Sequence, residues 1–235
     1  MPGNRNVVMN IAAIYSGGKD GHLAMLKMAN AGHRISCIIT LDGGDGHPFF
    51  FHDLRKTAIL QCHAERMGIP IVIVPLEDWM RQGSAGTGDI LKHLANAAAA
   101  KYEFDALCSG ATDGDDEGNS EGFRAAGESV GLRIETPLAG LDAAEILRQQ
   151  EEAGIRAIIV AAEKGKLPES MLGMQTGSRF AAILEKLNKK GIYADGNDFQ
   201  TLVIDSPLFS SPIEIKSSEI IRDRERAYLK ITEFE

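Results

Sequence analysis

An apolar run from Val7 to Ile14 ends in Tyr15-Ser16-Gly17-Gly18-Lys19-Asp20-Gly21-His22, and a helical pattern through Leu23, Ala24, Leu26, Lys27 and Met28 follows at once. A strand that passes into a helix across two glycines narrows the folds open to the chain. The glycines allow a tight turn and let the backbone approach an anion with no side chain in the way. The amides that open the next helix have no helical partner and carry a partial positive charge. Ser16 adds a hydroxyl and Lys19 a full positive charge. The segment therefore reads as a pyrophosphate cradle, and ATP is the expected ligand.

The spacing separates this loop from its commoner relatives. A Walker loop needs G-x-x-x-x-G-K-[ST], whereas Lys19 is followed by Asp20. No G-x-G-x-x-G follows the first apolar run, which disfavours a dinucleotide fold. What remains, S-G-G-x-D, resembles the PP-loop of the N-type ATP pyrophosphatases. That resemblance implies cleavage of ATP between the α- and β-phosphates and adenylylation of a carboxylate or carbonyl oxygen. Gly21 stands where that loop usually ends in Ser, so one hydroxyl is missing.

With 235 residues the chain can bury a sizeable core in one or two domains. A formal charge of −8 argues against a nucleic-acid binder that relies on a basic surface. No apolar run approaches the ~20 residues of a membrane span, and the polar start Met-Pro-Gly-Asn-Arg-Asn lacks the apolar segment of a signal peptide. Cys37, Cys62 and Cys108 are widely spaced, with no C-x-x-C, and read as buried reduced thiols. A cytoplasmic protein is the expectation.

Apolar runs at 7–14, 35–41, 69–74, 106–109 and 157–161 alternate with helical patterns at 21–31, 53–67, 86–101, 121–130 and 143–153. That alternation predicts βαβ units and a parallel sheet covered on both faces. Ligands then bind beyond the carboxyl ends of the strands, where Ser16 to Asp20 falls. After about Pro137 the rhythm changes to a helix over 175–190, stopped by Gly191, and short strands at 199–204, 212–217 and 227–232. The expected division is an ATP-binding domain over 1–136 and a smaller α+β acceptor domain over 137–235.

The order of several pieces resembles the diphthine–ammonia ligase family of ATP pyrophosphatases. Besides the loop, these are Phe51-His52, the run Ala64-Glu65-Arg66-Met67-Gly68-Ile69-Pro70, and Pro137-Leu138-Ala139-Gly140-Leu141-Asp142. Leu172-Gly173, Gly196 and the stretch from Thr201 to Phe209 complete the series. The resemblance implies a Rossmann-like α/β sheet of the adenine nucleotide alpha hydrolase (HUP) type. It implies conversion of a carboxylate to an amide with ATP, Mg²⁺ and free ammonia, leaving AMP and pyrophosphate, with diphthine on elongation factor 2 as the leading acceptor. Lys19 and Asp20 would act in catalysis, and Asp20 would assist Mg²⁺. Ser16, Gly17, Gly18, Lys19, Gly21, His52 and Gly110 would bind nucleotide, and Asp195, Asp198 and Thr201 would bind the acceptor.

Two stretches depart from the family. A Tyr-Gln-Arg expected after the fourth strand is replaced by Gly110-Ala111-Thr112 and the acidic run Asp113 to Glu121. Read as a calcium loop, that run has Arg124 where the bidentate Glu should stand. The second-domain signature G-E-G-G-E-[YF]-E-T becomes Ala194-Asp195-Gly196-Asn197-Asp198-Phe199-Gln200-Thr201, with both acids shortened. Two alternatives stay open: the same ATP chemistry on a small-molecule or RNA acceptor, or a nucleotide-binding regulator without turnover. A homo-oligomer also stays open. His22, His33, His47, His63 and His93 show no tight ligand pairing, which argues against zinc.

Overall fold

The computed structural model describes residues 7–42, 58–75, 86–112, 120–192 and 198–235. Strands β1 (Asn10–Ile14), β2 (Arg34–Asp42), β3 (Ile71–Pro75), β4 (Ala106–Cys108) and β5 (Ile134–Glu135) form a parallel sheet in the order β3-β2-β1-β4-β5. Helices α1 (Lys19–Asn30), α2 (Ala58–Met67), α3 (Thr87–Ala99) and α4 (Ser120–Ser129) alternate with them. This is the Rossmann-like α/β arrangement that the alternation predicts.

Each central strand is apolar on both faces because both faces are covered. Ile11, Ala13, Ile38, Ala106 and Cys108 point into one core with Leu23, Met25, Leu26, Ile59 and Leu60 of α1 and α2. Ala12, Cys37, Ile39 and Leu107 point the other way, onto Leu91, Leu94, Ala95 and Ala98 of α3. The period of two along a strand sorts neighbouring residues between these cores.

The remaining chain makes a second, antiparallel sheet in the order β7-β6-β9-β8, from β6 (Arg156–Glu163), β7 (Phe199–Asp205), β8 (Ile215–Arg222) and β9 (Arg226–Phe234). Helices α5 (Ala143–Glu152) and α6 (Ser178–Asn188) cover one face, where Leu147, Ile159, Phe180, Leu184 and Phe199 cluster. On the opposite face Ile158, Val160 and Leu202, with Phe209 and Ile213 from the segment after β7, join the same core as α1 and α2. The two sheets thus share one apolar core.

Two local readings need correction. The run 157–161 sits in β6 of the antiparallel sheet, not among the βαβ strands. It is covered on both sides, so its composition mimics a parallel strand. The fifth parallel strand is instead Ile134–Glu135, too short to show any periodicity. The helix expected over 175–190 begins at Ser178, after Gly177 at φ 129°. Residues 53–57 of the second predicted helix lie outside the described residues.

Strand order reverses between β1 and β4, with β2 and β3 to one side and β5 to the other. The crevice at such a reversal, beyond the carboxyl ends, is where open α/β sheets hold ligands. Ser16 follows β1 and Gly110 follows β4, so both predicted nucleotide residues flank it.

Candidate functional site

The loop between β1 and α1 is shaped by its two glycines. Gly17 sits at φ 83°, in the left-handed region that side-chain-bearing residues rarely enter. Gly18 is the extended N-cap of α1 and contributes no capping side chain. The first intrahelical bond runs from the His22 amide to the Gly18 carbonyl (3.2 Å), so the amides of Lys19, Asp20 and Gly21 precede it without a helical partner. Of these, the Asp20 and Gly21 amides are the donors an anion would meet.

The second sheet supplies what the loop lacks. The Val203 amide of β7 donates to the Gly17 carbonyl (2.9 Å), and the Lys19 amide donates to the Thr201 hydroxyl (3.1 Å). Thr201 therefore caps α1 from the other half of the chain. Gly110 closes the loop from β4. A Cβ there would fall 2.4 Å from the Gly21 nitrogen and 2.6 Å from the Asp20 carbonyl carbon, so only glycine permits this approach.

Lys19 is 7% exposed. Its Nζ donates to both carboxylate oxygens of Asp20 at 2.7 Å and lies 5.6 Å from the ring centre of Phe199. An aromatic face holds a buried ammonium by cation–π attraction. Asp20 is about a third exposed and lies in the first turn of α1, where the helix dipole favours a negative charge. Asp198 is buried, pairs with Lys166 at 3.5 Å, and its carbonyl accepts from the Glu163 amide.

The structure thus brings Ser16, Gly17, Gly18, Lys19, Asp20, Gly21, Gly110 and Thr201 to one place, with Asp198 one residue before Phe199 at its edge. His52 and Asp195 lie outside the described residues, as do residues 113–119 of the acidic run. Among the described residues, no group of three or more His, Cys, Asp or Glu is placed to hold a metal. Among them too, no helix is long and apolar enough to cross a membrane.

Sequence reasoning missed Phe199 as a partner of Lys19, and it missed a buried cluster behind the loop. The Tyr15 hydroxyl lies 3.0 Å from His22 Nδ1 and 2.7 Å from His63 Nδ1, and His22 Nε2 lies 2.7 Å from the Ser206 hydroxyl. Burial pushes both imidazoles down to about 3, with His22 and Arg66 adding to the effect at His63, and it pushes Tyr15 up. Sequence spacing addresses these histidines only as metal ligands. The available signal was their position, His22 in the first turn after the loop and His63 inside a predicted helix.

Similarity to known proteins covers both halves of this site. Residues 9–133 match the diphthamide synthase N-terminal domain and residues 142–235 match the diphthamide synthase C-terminal domain. The chain is 26% identical to the diphthine–ammonia ligase of Bos taurus, over 95% of this chain and 89% of that protein. It is 27% identical to that of Rattus norvegicus (91% and 85%) and 26% identical to that of Homo sapiens (91% and 85%). Across both sheets and the loop between them, the chain belongs to the diphthamide synthase family, and it is an ATP-dependent ligase.

Proposed function

We propose that the chain amidates a carboxylate with ATP and ammonia through an acyl-adenylate, releasing AMP and pyrophosphate, and that the carboxylate is diphthine on elongation factor 2. The observation that carries this reading is the junction at Lys19. A buried ammonium and the open amides of Asp20 and Gly21 lie beside a hydroxyl that the second sheet gives to the Lys19 amide, which supports a nucleotide half and an acceptor half meeting at one point. Residues 1–136 would bind ATP and residues 137–235 the acceptor.

The chemistry follows from charge. A carboxylate resists ammonia because its negative charge repels the nucleophile and its oxygen leaves poorly. In the first step a carboxylate oxygen attacks the α-phosphorus, and the bond to the bridging oxygen breaks as pyrophosphate departs. In the second, ammonia attacks the acyl carbon, AMP leaves and the nitrogen loses a proton. The Asp20 and Gly21 amides, the Ser16 hydroxyl and Lys19 would hold the pyrophosphate as its charge grows. Lys19 reaches it by giving up one of its two contacts to Asp20.

A single partly exposed carboxylate suits Mg²⁺, which is commonly held by one or two carboxylates plus phosphate oxygens and water. Asp20 would hold it, and bound there it would neutralise charge on the leaving pyrophosphate. His52 would contact nucleotide, and Asp195, Asp198 and Thr201 would face the acceptor or ammonia. The shortened acids at Asp195 and Asp198 favour one further reading, the same chemistry on a different carboxylate. The setting would be the cytoplasm.

The deciding assay measures AMP and pyrophosphate release from ATP–Mg²⁺ and ammonium, with and without diphthine-bearing elongation factor 2. Release that needs both factor and ammonium, with amide formed on the factor, is the expected result. ATP binding without factor-dependent release would overturn the acceptor assignment.

A further inference from the structure

The buried cluster behind the loop has a direction. The Ser206 hydroxyl accepts from the Leu208 amide (3.0 Å) and can give its own hydrogen to His22 Nε2 at 2.7 Å. In that direction His22 carries its proton on Nδ1 and donates it to the Tyr15 oxygen at 3.0 Å. Tyr15 in turn gives its hydrogen to His63 Nδ1 at 2.7 Å, which leaves the His63 proton on Nε2. That nitrogen is buried without a hydrogen-bond partner. In this direction each hydroxyl donates once and both imidazoles are neutral.

The chain of bonds begins beside the second sheet and ends at His63 on α2. Ser206 and Leu208 follow β7, and Val203 lies within it. The same segment is bound to α2, where the Arg66 carbonyl accepts from the Ser210 amide (2.9 Å) and Arg66 Nη1 donates to the Pro212 carbonyl (2.6 Å). Phe209 seals the cluster, its ring 5.3 Å from His22 and 5.0 Å from His63. All four polar members are at most 5% exposed. Val203 and Thr201 of β7 are in turn the residues that hold Gly17 and the Lys19 amide.

We infer that Tyr15, His22, His63 and Ser206 are positioning residues for nucleotide binding, a one-way relay of neutral hydrogen bonds that sets β7 against the phosphate loop. None of the four touches the proposed nucleotide; the relay acts through Val203 and Thr201. The inference rests on the reading of residues 16–21 as the phosphate site. Buried hydrogen bonds that join separate elements favour one arrangement of them, and removing one member loosens it.

The test joins a spectroscopic signature to a binding constant, both on the full chain. Ring ¹⁵N and ¹³C shifts at neutral pH should show His22 as the Nδ1–H tautomer and His63 as the Nε2–H tautomer. Calorimetry with ATP should show Ser206→Ala binding about tenfold more weakly than the parent, with Ser206→Thr restoring affinity. Tyr15→Phe should remove both fixed tautomers; if it does not fold, Ser206→Ala carries the test alone. Tautomers opposite to these, or unchanged ATP affinity in Ser206→Ala, would overturn the relay while leaving the phosphate loop standing. A parent chain that binds no ATP would overturn the loop reading and the relay with it.

Discussion

Two helices of this molecule start from nearly the same backbone and are capped in opposite ways. Asp142 before α5 lies at φ −79°, ψ 166°, and its own carboxylate accepts from the Glu145 amide at 2.8 Å. Gly18 before α1 lies at φ −78°, ψ 163°, yet the hydroxyl at that end belongs to Thr201, 182 residues along the chain from Lys19. The α5 start is self-contained. In the proposed site the α1 start cannot be, because a cap of its own would stand where the phosphates would approach the amides. A helix that serves only structure ends its donors locally, and one that serves a ligand leaves some open and borrows the rest.

Lys19→Ala breaks the functional side of this comparison most sharply. It removes the one full positive charge of the loop, and a fall in pyrophosphate release of about a thousandfold or more is expected. Full retained activity would refute the site. The surroundings of α1 also differ from those of α5 in their response to acid. His22 and His63 are held neutral in the fold and driven down to about 3, against an ordinary value near 6.5. The unfolded chain therefore binds more protons than the fold once the pH drops below 6.5, and stability is lost progressively from there toward 3. Arg66 beside His63 adds to the cost of charging it, and Tyr15 between the rings offers only one hydrogen. At α5 the Glu145 carboxyl, lowered chiefly by its hydrogen bond to Arg148, is exposed and adds little. Melting temperatures should already fall between pH 6.5 and 5, before carboxylates titrate; a flat profile there would mean that the imidazoles are not held neutral.

Cap removal at each helix compares them directly. Asp142→Ala should cost about 1 kcal/mol, a drop of about 3 °C in Tm, with ATP affinity unchanged by calorimetry. Thr201→Val keeps the shape but leaves the Lys19 amide unpaired, and ATP binding should weaken about tenfold. Thr201→Ser should restore it. Equal effects of Asp142→Ala and Thr201→Val on ATP would erase the distinction between the two helix starts.

What the sequence made legible follows the same division. Local features were readable: the glycine turn after β1, the apolar strands, and the stop of α6 at Gly191, which adopts φ 77°. Long-range features were not. Nothing near Thr201 signals that its hydroxyl meets the Lys19 amide, because the pairing depends on β7 lying beside the loop. The fate of β6 was hidden for a related reason. An apolar stretch covered on two faces has the same composition whether its neighbours run parallel or antiparallel. The Tyr15, His22 and His63 cluster joins β1, α1 and α2, and no spacing rule links them. The resemblance implies Gly110 as a nucleotide residue; why it must be glycine shows only in its approach to Gly21.

The smallest expected effect tests how much of the anion site the chain leaves unused. Gly21 occupies the position where the family loop usually carries Ser. A Cβ built there would meet the Ile14 carbonyl oxygen at 3.4 Å and Tyr15 Cδ2 at 3.7 Å, ordinary contact distances. Serine also costs less than glycine inside a helix, by a few tenths of a kcal/mol. Gly21→Ser should therefore fold at least as stably and tighten ATP binding by about threefold, the effect of one modest hydrogen bond. Calorimetry reads the affinity and a melt reads the fold. Tighter binding would mean that the α1 start has a vacant hydroxyl position that Thr201 does not fill. Weaker binding in a stably folded variant would mean that the bound nucleotide needs the bare backbone at Gly21, and that the borrowed hydroxyl on Lys19 already completes the set of donors.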